Sequence, residues 1–229
     1  MLPPAELLLV ADGRLPAGGH AHSGGLEAAV NAGSVGDLDS LATFLRGRLE
    51  TSGLNAAGLA AAACALALAV HGQGTGAASS SSWPELDAAA DARIPSPAQR
   101  AASRAQGRGL LRVARAAWPH AQLERLGREP HHPIVLGAVV AAAGGTAAAA
   151  AQLAALHAVS GPASAAVRLL ALDPIAVTVL LAELAGTADL VAAQAAAAAA
   201  AGELPAAAAP LLDVYAETHR SAEVRLFAS

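Results

Sequence analysis

The chain has 229 residues and a formal net charge of −4, and 55% of it is apolar, including 67 alanines. Alanine is the strongest helix former and only weakly hydrophobic, so the apolar excess measures helix propensity more than greasiness. All 14 basic residues are arginine; without lysine there is no phosphate-loop NTPase and no Schiff-base enzyme, and the negative balance supplies no field for nucleic acid.

Aromatic residues make up 2% of the chain and β-branched residues are sparse, which argues against sheets. The composition predicts an all-α protein, a compact single-domain bundle of roughly nine or ten helices over 1–229. A lone cysteine, Cys64, forms no intramolecular disulfide and reads as a small buried apolar residue. The start lacks a basic leader segment. Two apolar runs invite comparison with membrane spans. Ile134–Ala151 is interrupted by Gly137, Gly144 and Gly145, and Leu190–Ala201 is too short at ~1.5 Å per residue to cross a core of ~30 Å. The expectation is a cytoplasmic protein with no membrane contact.

In chain order, Leu7–Val10 is a short apolar opening and Asp12–Gly25 a glycine-rich loop. A short helix follows over Leu26–Ala32, capped by Ser23 or Gly24. Asp37 caps a helix carrying Leu38, Leu41, Leu45 and Leu49 at helical spacing, Gly53 interrupts it, and a second helix runs from Leu54 to Val70. Residues 72–82 read as a flexible loop. Trp83–Ile94 is a short helix ended by Pro95 and Pro97, and Ala98–Trp118 a long one closed by Pro119. A polar loop to Pro133 precedes Ile134–Ala143, which Gly144 and Gly145 separate from Thr146–Val159. Ser160-Gly161-Pro162 reads as a restart, as does Asp173-Pro174 before a helix reaching about Ala201. A linker over 202–210, a last helix over Leu211–Arg220 and a tail over 221–229 complete the chain.

The loop Gly18-Gly19-His20-Ala21-His22-Ser23-Gly24-Gly25 is the most distinctive stretch, yet it matches neither GxGxxG nor GxSxG. It is read as a structural loop or a protein-contact surface. His20, His22, His131 and His132 are the candidate metal ligands, short of the further cysteines or carboxylates that a metal site needs. Arg100, Arg104, Arg108 and Arg112 recur at i+4 and form one stripe on a helix. Guanidinium groups favour bidentate carboxylate pairing, so the stripe reads as an acid-pairing face or a protein interface. No nucleophile–base–orienter set is readable, which excludes no chemistry by itself but leaves an enzyme without a candidate residue.

These segments together resemble the UreF family of urease accessory proteins. The opening Leu15-Pro16-Ala17-Gly18-Gly19 with Ser23-Gly24-Gly25-Leu26-Glu27 is similar to the family's LPxGG…SxGLE signature. Ser103 to Gly107 matches its SxxQG helix, and His131-His132-Pro133 and Ser160-Gly161-Pro162 match two further stretches. Arg225-Leu226-Phe227-Ala228-Ser229 resembles the family's RLFxS ending. The resemblance implies a helical, dimeric, non-enzymatic factor with no stably bound cofactor. It would bridge the UreD/UreH accessory protein and the GTPase UreG to apo-urease during nickel insertion. It points to Gly18, Gly19, Ser23, Gly24 and Glu27 near a dimer or partner surface. Arg100, Arg104 and Arg108 come second, and Arg225, Leu226 and Phe227 lie in a tail that orders on binding a partner. The rival expectation is a metallochaperone that binds nickel directly through its histidines.

Overall fold

The computed structural model describes residues 5–69 and 82–229. The opening Met1–Pro4, the end of the expected helix at Val70 and almost all of the expected 72–82 loop lie outside them. Among the described residues the chain is all helical. The elements are α1 (Ala5–Ala11), α2 (Leu26–Asn31), α3 (Leu38–Arg48), α4 (Leu54–Ala69), α5 (Trp83–Ala92) and α6 (Pro97–Ala117). They continue as α7 (Ala121–Arg125), α8 (His132–Ala142), α9 (Ala147–Leu170), α10 (Pro174–Ala200) and α11 (Pro210–Ser221). A π-helical turn over Leu49–Gly53 fuses α3 and α4 into one run, Leu38–Ala69.

Local chemistry sets most boundaries. Asp37 and Ser40 form a capping box at α3, and Ser82 and Glu85 another at α5. Ser96, Thr146 and Asp173 accept first-turn N–H groups at α6, α9 and α10, with Pro174 at the head of α10.

The structure corrects four sequence expectations. Gly53 does not break the helix, because the chain absorbs it in the π turn. The loop before Pro133 contains α7, whose first turn His120 caps by accepting from Gln122 N. Ser160-Gly161-Pro162 does not restart a helix: α9 runs through, with Pro162 inside it. A proline there has no N–H for the carbonyl four residues back, at Ala158. That carbonyl instead accepts from Arg48 Nε on α3 at 2.9 Å, so a tertiary bond replaces the missing helical one. Finally, three helical runs are long and apolar enough to cross a membrane by length and composition: Leu38–Ala69, Ala147–Leu170 and Pro174–Ala200. The apolar run from Leu190 is only the C-terminal part of α10, which starts at Pro174 as expected and is about 40 Å long.

Helix α4 occupies the centre, against α8, α9 and α10. Its buried face is small (Ala57, Gly58, Ala60, Ala61, Ala63, Cys64 and Ala67), with Leu54 and Leu59 as the larger members. Small faces let helix axes approach closely, and α8 shows the limit: a Cβ on Gly137 would strike the Ala60 carbonyl oxygen of α4 and sit 2.7 Å from Ala63 Cβ. Helix α8 is buried nearly all round, as a core helix should be. The stripe Leu41, Leu45 and Leu49 packs inward from α3. Cys64 is fully buried, and that burial pushes its thiol up to about 12, so it is inert.

Candidate functional site

Two motif segments from opposite ends of the chain meet. Gly18 leads a single 3-10 turn, Gly19–Ala21, and the chain then turns through Gly24 and Gly25, with φ of +64° and +92°, into α2. Left-handed φ at both positions is what glycine supplies without strain. Gly25 is the cap residue, while Ser23 Oγ still accepts from the first-turn N–H of Glu27 at 3.2 Å.

The tail lies against this loop. Ser23 donates its N–H and its Oγ hydrogen to the Ser229 main-chain oxygen at 2.6 and 2.9 Å, and Ala228 N–H donates to the Ala21 carbonyl at 2.7 Å. His22 Nδ1 lies 2.6 Å from Ser229 Oγ. Phe227 is buried, and the Arg168 guanidinium stands 4.4 Å over its ring. Leu226 and Arg225 are exposed.

Glu27 is the lock. Its carboxylate accepts the Leu226 N–H at 2.6 Å and the Phe227 N–H at 3.0 Å, and pairs with His219 Nε2 of α11 at 2.8 Å. Burial pushes its pKa up, but the Leu226 amide, the His219 ring and the Phe227 amide outweigh it, and the carboxyl sits below its ordinary value. Glu27 therefore lies beneath the tail, in contact with this chain's own groups. These bonds hold the tail against α2 and α11.

Arg100, Arg104 and Arg108 of the α6 stripe pair within the molecule. Arg104 Nη2 bridges Asp87 and Asp91 of α5 at 2.9 and 2.8 Å, and Arg104 Nη1 donates to the Glu129 carbonyl. Arg108 pairs with Glu129 at 2.8 Å, and Arg100 donates to the Ile94 and Pro95 carbonyls. A buried His131 completes the network, with Nε2 2.9 Å from Asp91 and Nδ1 3.0 Å from Ser103. Burial lowers the His131 pKa while the Asp91 bond pulls it back. Asp87, Asp91 and His131 bring ligand atoms within 4.8 Å of one another, but the Arg104 guanidinium occupies the place a cation would take. Ser103 and Gly107, the residues of the helix motif, have clear duties. Ser103 also accepts the His132 N–H at 3.3 Å, and a Cβ on Gly107 would strike the Pro130 carbonyl.

A cavity of about 840 Å³ opens between the loop, α3, α6, α9, α11 and the tail. His22 and His132 reach it, as does His157 of α9, whose ring centroid is 6.2 Å from that of His132. Burial, then the nearby His157 and His22, lowers His132 to about 3, and burial lowers His157 and His22 too. Arg48 also faces the cavity. Besides Ala158 it donates through Nη1 to the Gly24 carbonyl at 2.7 Å, joining the glycine loop to the proline turn of α9. His20 is exposed, and its carbonyl accepts from Arg168 at 3.0 Å. Sequence reasoning missed Arg48, His157 and His219. Arg48 had a signal, since it falls three residues after Leu45 on the apolar face of α3. His157 and His219 had none, because only tertiary folding brings them to their partners.

The family model for UreF matches residues 35–185. Over nearly its whole length the chain is similar to the urease accessory protein UreF of several mycobacteria. It is 48% identical to that of Mycobacterium sp. (strain JLS), with 97% of each chain covered. It is 44% identical to that of Mycobacterium marinum and 43% to that of Mycobacterium tuberculosis (strain ATCC 25618 / H37Rv), with 98% of each chain covered. Match length, identity and the meeting of the two terminal motifs agree: the chain belongs to the UreF family of urease accessory proteins.

Proposed function

We propose that the chain is a non-enzymatic adaptor in urease maturation, acting in the cytoplasm as a homodimer. It bridges a UreD/UreH-type accessory protein and a UreG-type GTPase to apo-urease while nickel is inserted. The observation that carries this reading is the joining of the Ser23–Glu27 loop and the Arg225–Ser229 tail into one continuous surface, with Arg225 and Leu226 left exposed upon it. Such a surface serves recognition: buried bonds fix its shape, and exposed side chains offer contacts. For self-association, α10 presents Ile175, Val179, Ala182, Gly186 and Leu190 along one exposed side, apolar or small throughout.

A second reading, direct nickel binding, has one observation behind it: His22, His132 and His157 line one cavity and are held neutral, the state that ligates a metal. The same cavity also carries Arg48, Arg93 and Arg225, whose positive charge opposes a dication. This favours nickel being handled by the assembled complex.

Coexpression with the accessory protein, the GTPase and urease tests the adaptor. One complex should copurify, and deletion of Arg225–Ser229 should release at least one partner. Failure of every partner to copurify sinks the reading. Equilibrium dialysis against nickel then decides the second: a tight stoichiometric ion, lost in His132→Ala and His157→Ala, would establish it.

A further inference from the structure

The central cavity has an uneven charge. Arg48 is half-buried in the cavity wall, and among the described residues its side chain bonds only to the carbonyls of Ala158 and Gly24. Its Nη2 has no hydrogen bond among the described residues, and burial alone alters its ionisation, down to about 10, so it stays charged at neutral pH. Arg93 on the same wall is likewise held by carbonyls, those of Pro205, Ala89 and Leu204. Arg225 reaches the cavity from the tail with no acid partner among the described residues. Arg220 is neutralised by Glu217 at 2.9 Å. Asp213, an acidic side chain in the lining, is committed to Ser96 N–H and the Gln99 side chain. Carbonyl dipoles satisfy the donors of a guanidinium but leave its charge in place, and an enclosed charge without a counterion is costly. Three guanidiniums with no carboxylate partner among the described residues, Arg48 and Arg93 half-buried and Arg225 exposed, therefore give the cavity a positive wall that suits an anion.

The volume and the rest of the wall say what kind. About 840 Å³ far exceeds an inorganic anion and falls among ligand pockets of ~300–1,000 Å³. Alanines of α4, α6 and α9, such as Ala56, Ala102, Ala105 and Ala154, form much of the wall. The fitting occupant has an apolar body and an anionic head. We propose that this cavity receives an acidic segment of a partner protein, a carboxylate taking the open edge of Arg48 while the segment's apolar part lies against the alanine wall. This deepens the adaptor reading, on which it rests for the source of the segment.

Arg48 also supports the glycine loop and α9, so the test leaves it in place. Ala102→Glu puts a competing carboxylate into the wall, and Ala102→Gln controls for size. Circular dichroism and thermal melting establish that both variants are folded. The full chain is titrated with a labelled alanine–glutamate peptide and with its alanine–glutamine counterpart, and copurification with the urease accessory partners is measured in parallel. The glutamate peptide should bind the native chain at least roughly tenfold tighter than the glutamine peptide, and Ala102→Glu should lose that preference while Ala102→Gln keeps it. Equal binding of the two peptides overturns the inference. So does retention of all partners by Ala102→Glu at the level of Ala102→Gln, which leaves the adaptor reading intact. A charge-dependent peptide site in a chain that copurifies with no accessory partner sinks the adaptor reading instead. Inorganic phosphate that displaces the peptide at matched concentration would assign the cavity to free anions and overturn the protein-segment source.

Discussion

At the scale of single residues, Glu27 holds the most consequential position. Three donors converge on one buried carboxylate, and two of them are amides of the tail. Glu27→Gln keeps the shape and removes the charge, so it should destabilise the fold by about 1–3 kcal/mol. Amide exchange at Leu226 and Phe227 should speed up before the helices are affected, which hydrogen-exchange mass spectrometry reads directly. Because the folded pKa of Glu27 lies below its ordinary 4.5, its contribution is complete above that value and is lost as pH falls through the lowered folded value. The buried histidines act earlier. His132 stays neutral down to about 3 in the fold but takes a proton below its ordinary 6.5 once unfolded. Stability should therefore fall as pH drops below 6.5, by up to about 1.4 kcal/mol per pH unit for each such histidine. His132→Leu should flatten that slope in denaturant titrations across the acid range; an unchanged slope would show that His132 contributes nothing to it.

At the scale of elements, the close helix contacts are set by what is missing. Gly137 and Pro162 show two versions. Gly137 lacks the Cβ that would collide with the α4 backbone, so Gly137→Ala forces α4 and α8 apart and should cost about 1–3 kcal/mol in thermal or denaturant unfolding. Gly47, exposed in the last turn of α3, has open space around it, and Gly47→Ala should stabilise the helix by about 0.5–1 kcal/mol. Pro162 lacks an N–H, and Arg48 supplies the replacement donor to Ala158. In a double-mutant cycle, Arg48→Met should cost less in the Pro162→Ala background than in the native one, with a coupling of about 0.5–3 kcal/mol. Zero coupling would separate the two residues energetically. The sequence reading placed the capped helices α3, α6 and α10 within a residue or two, since their caps are local. It misread Gly53 and Pro162, because a helix breaker breaks only where no tertiary contact repairs the ladder.

At the scale of the molecule, the exposed side of α10 is an apolar feature that the described residues leave uncovered. If it is the self-association face, Val179→Arg should shift the chain from dimer to monomer in light scattering with its helical content unchanged. An unshifted dimer would place the interface elsewhere. Val179 is half exposed on α10 and the tail bonds described above do not involve it, so this variant also tests whether partner recognition requires the dimer.

Composition and local motifs determined the helical class, most caps and, through the order of the five motif segments, the family. Those properties depend on neighbours along the chain: alanine propensity, Ser or Asp before a helix, proline in its first turn. The order of the segments could not show that the Ser23–Glu27 loop and the tail are two halves of one structure, separated by about 200 residues. Nor could it show that the i+4 arginines meet acids of α5 and of the segment after α7. It gave no sign that Arg48, His132 and His157 line one cavity. Contacts of that kind follow from how the small faces of α4, α8 and α9 pack, and only the folded chain decides which distant side chains that packing brings together.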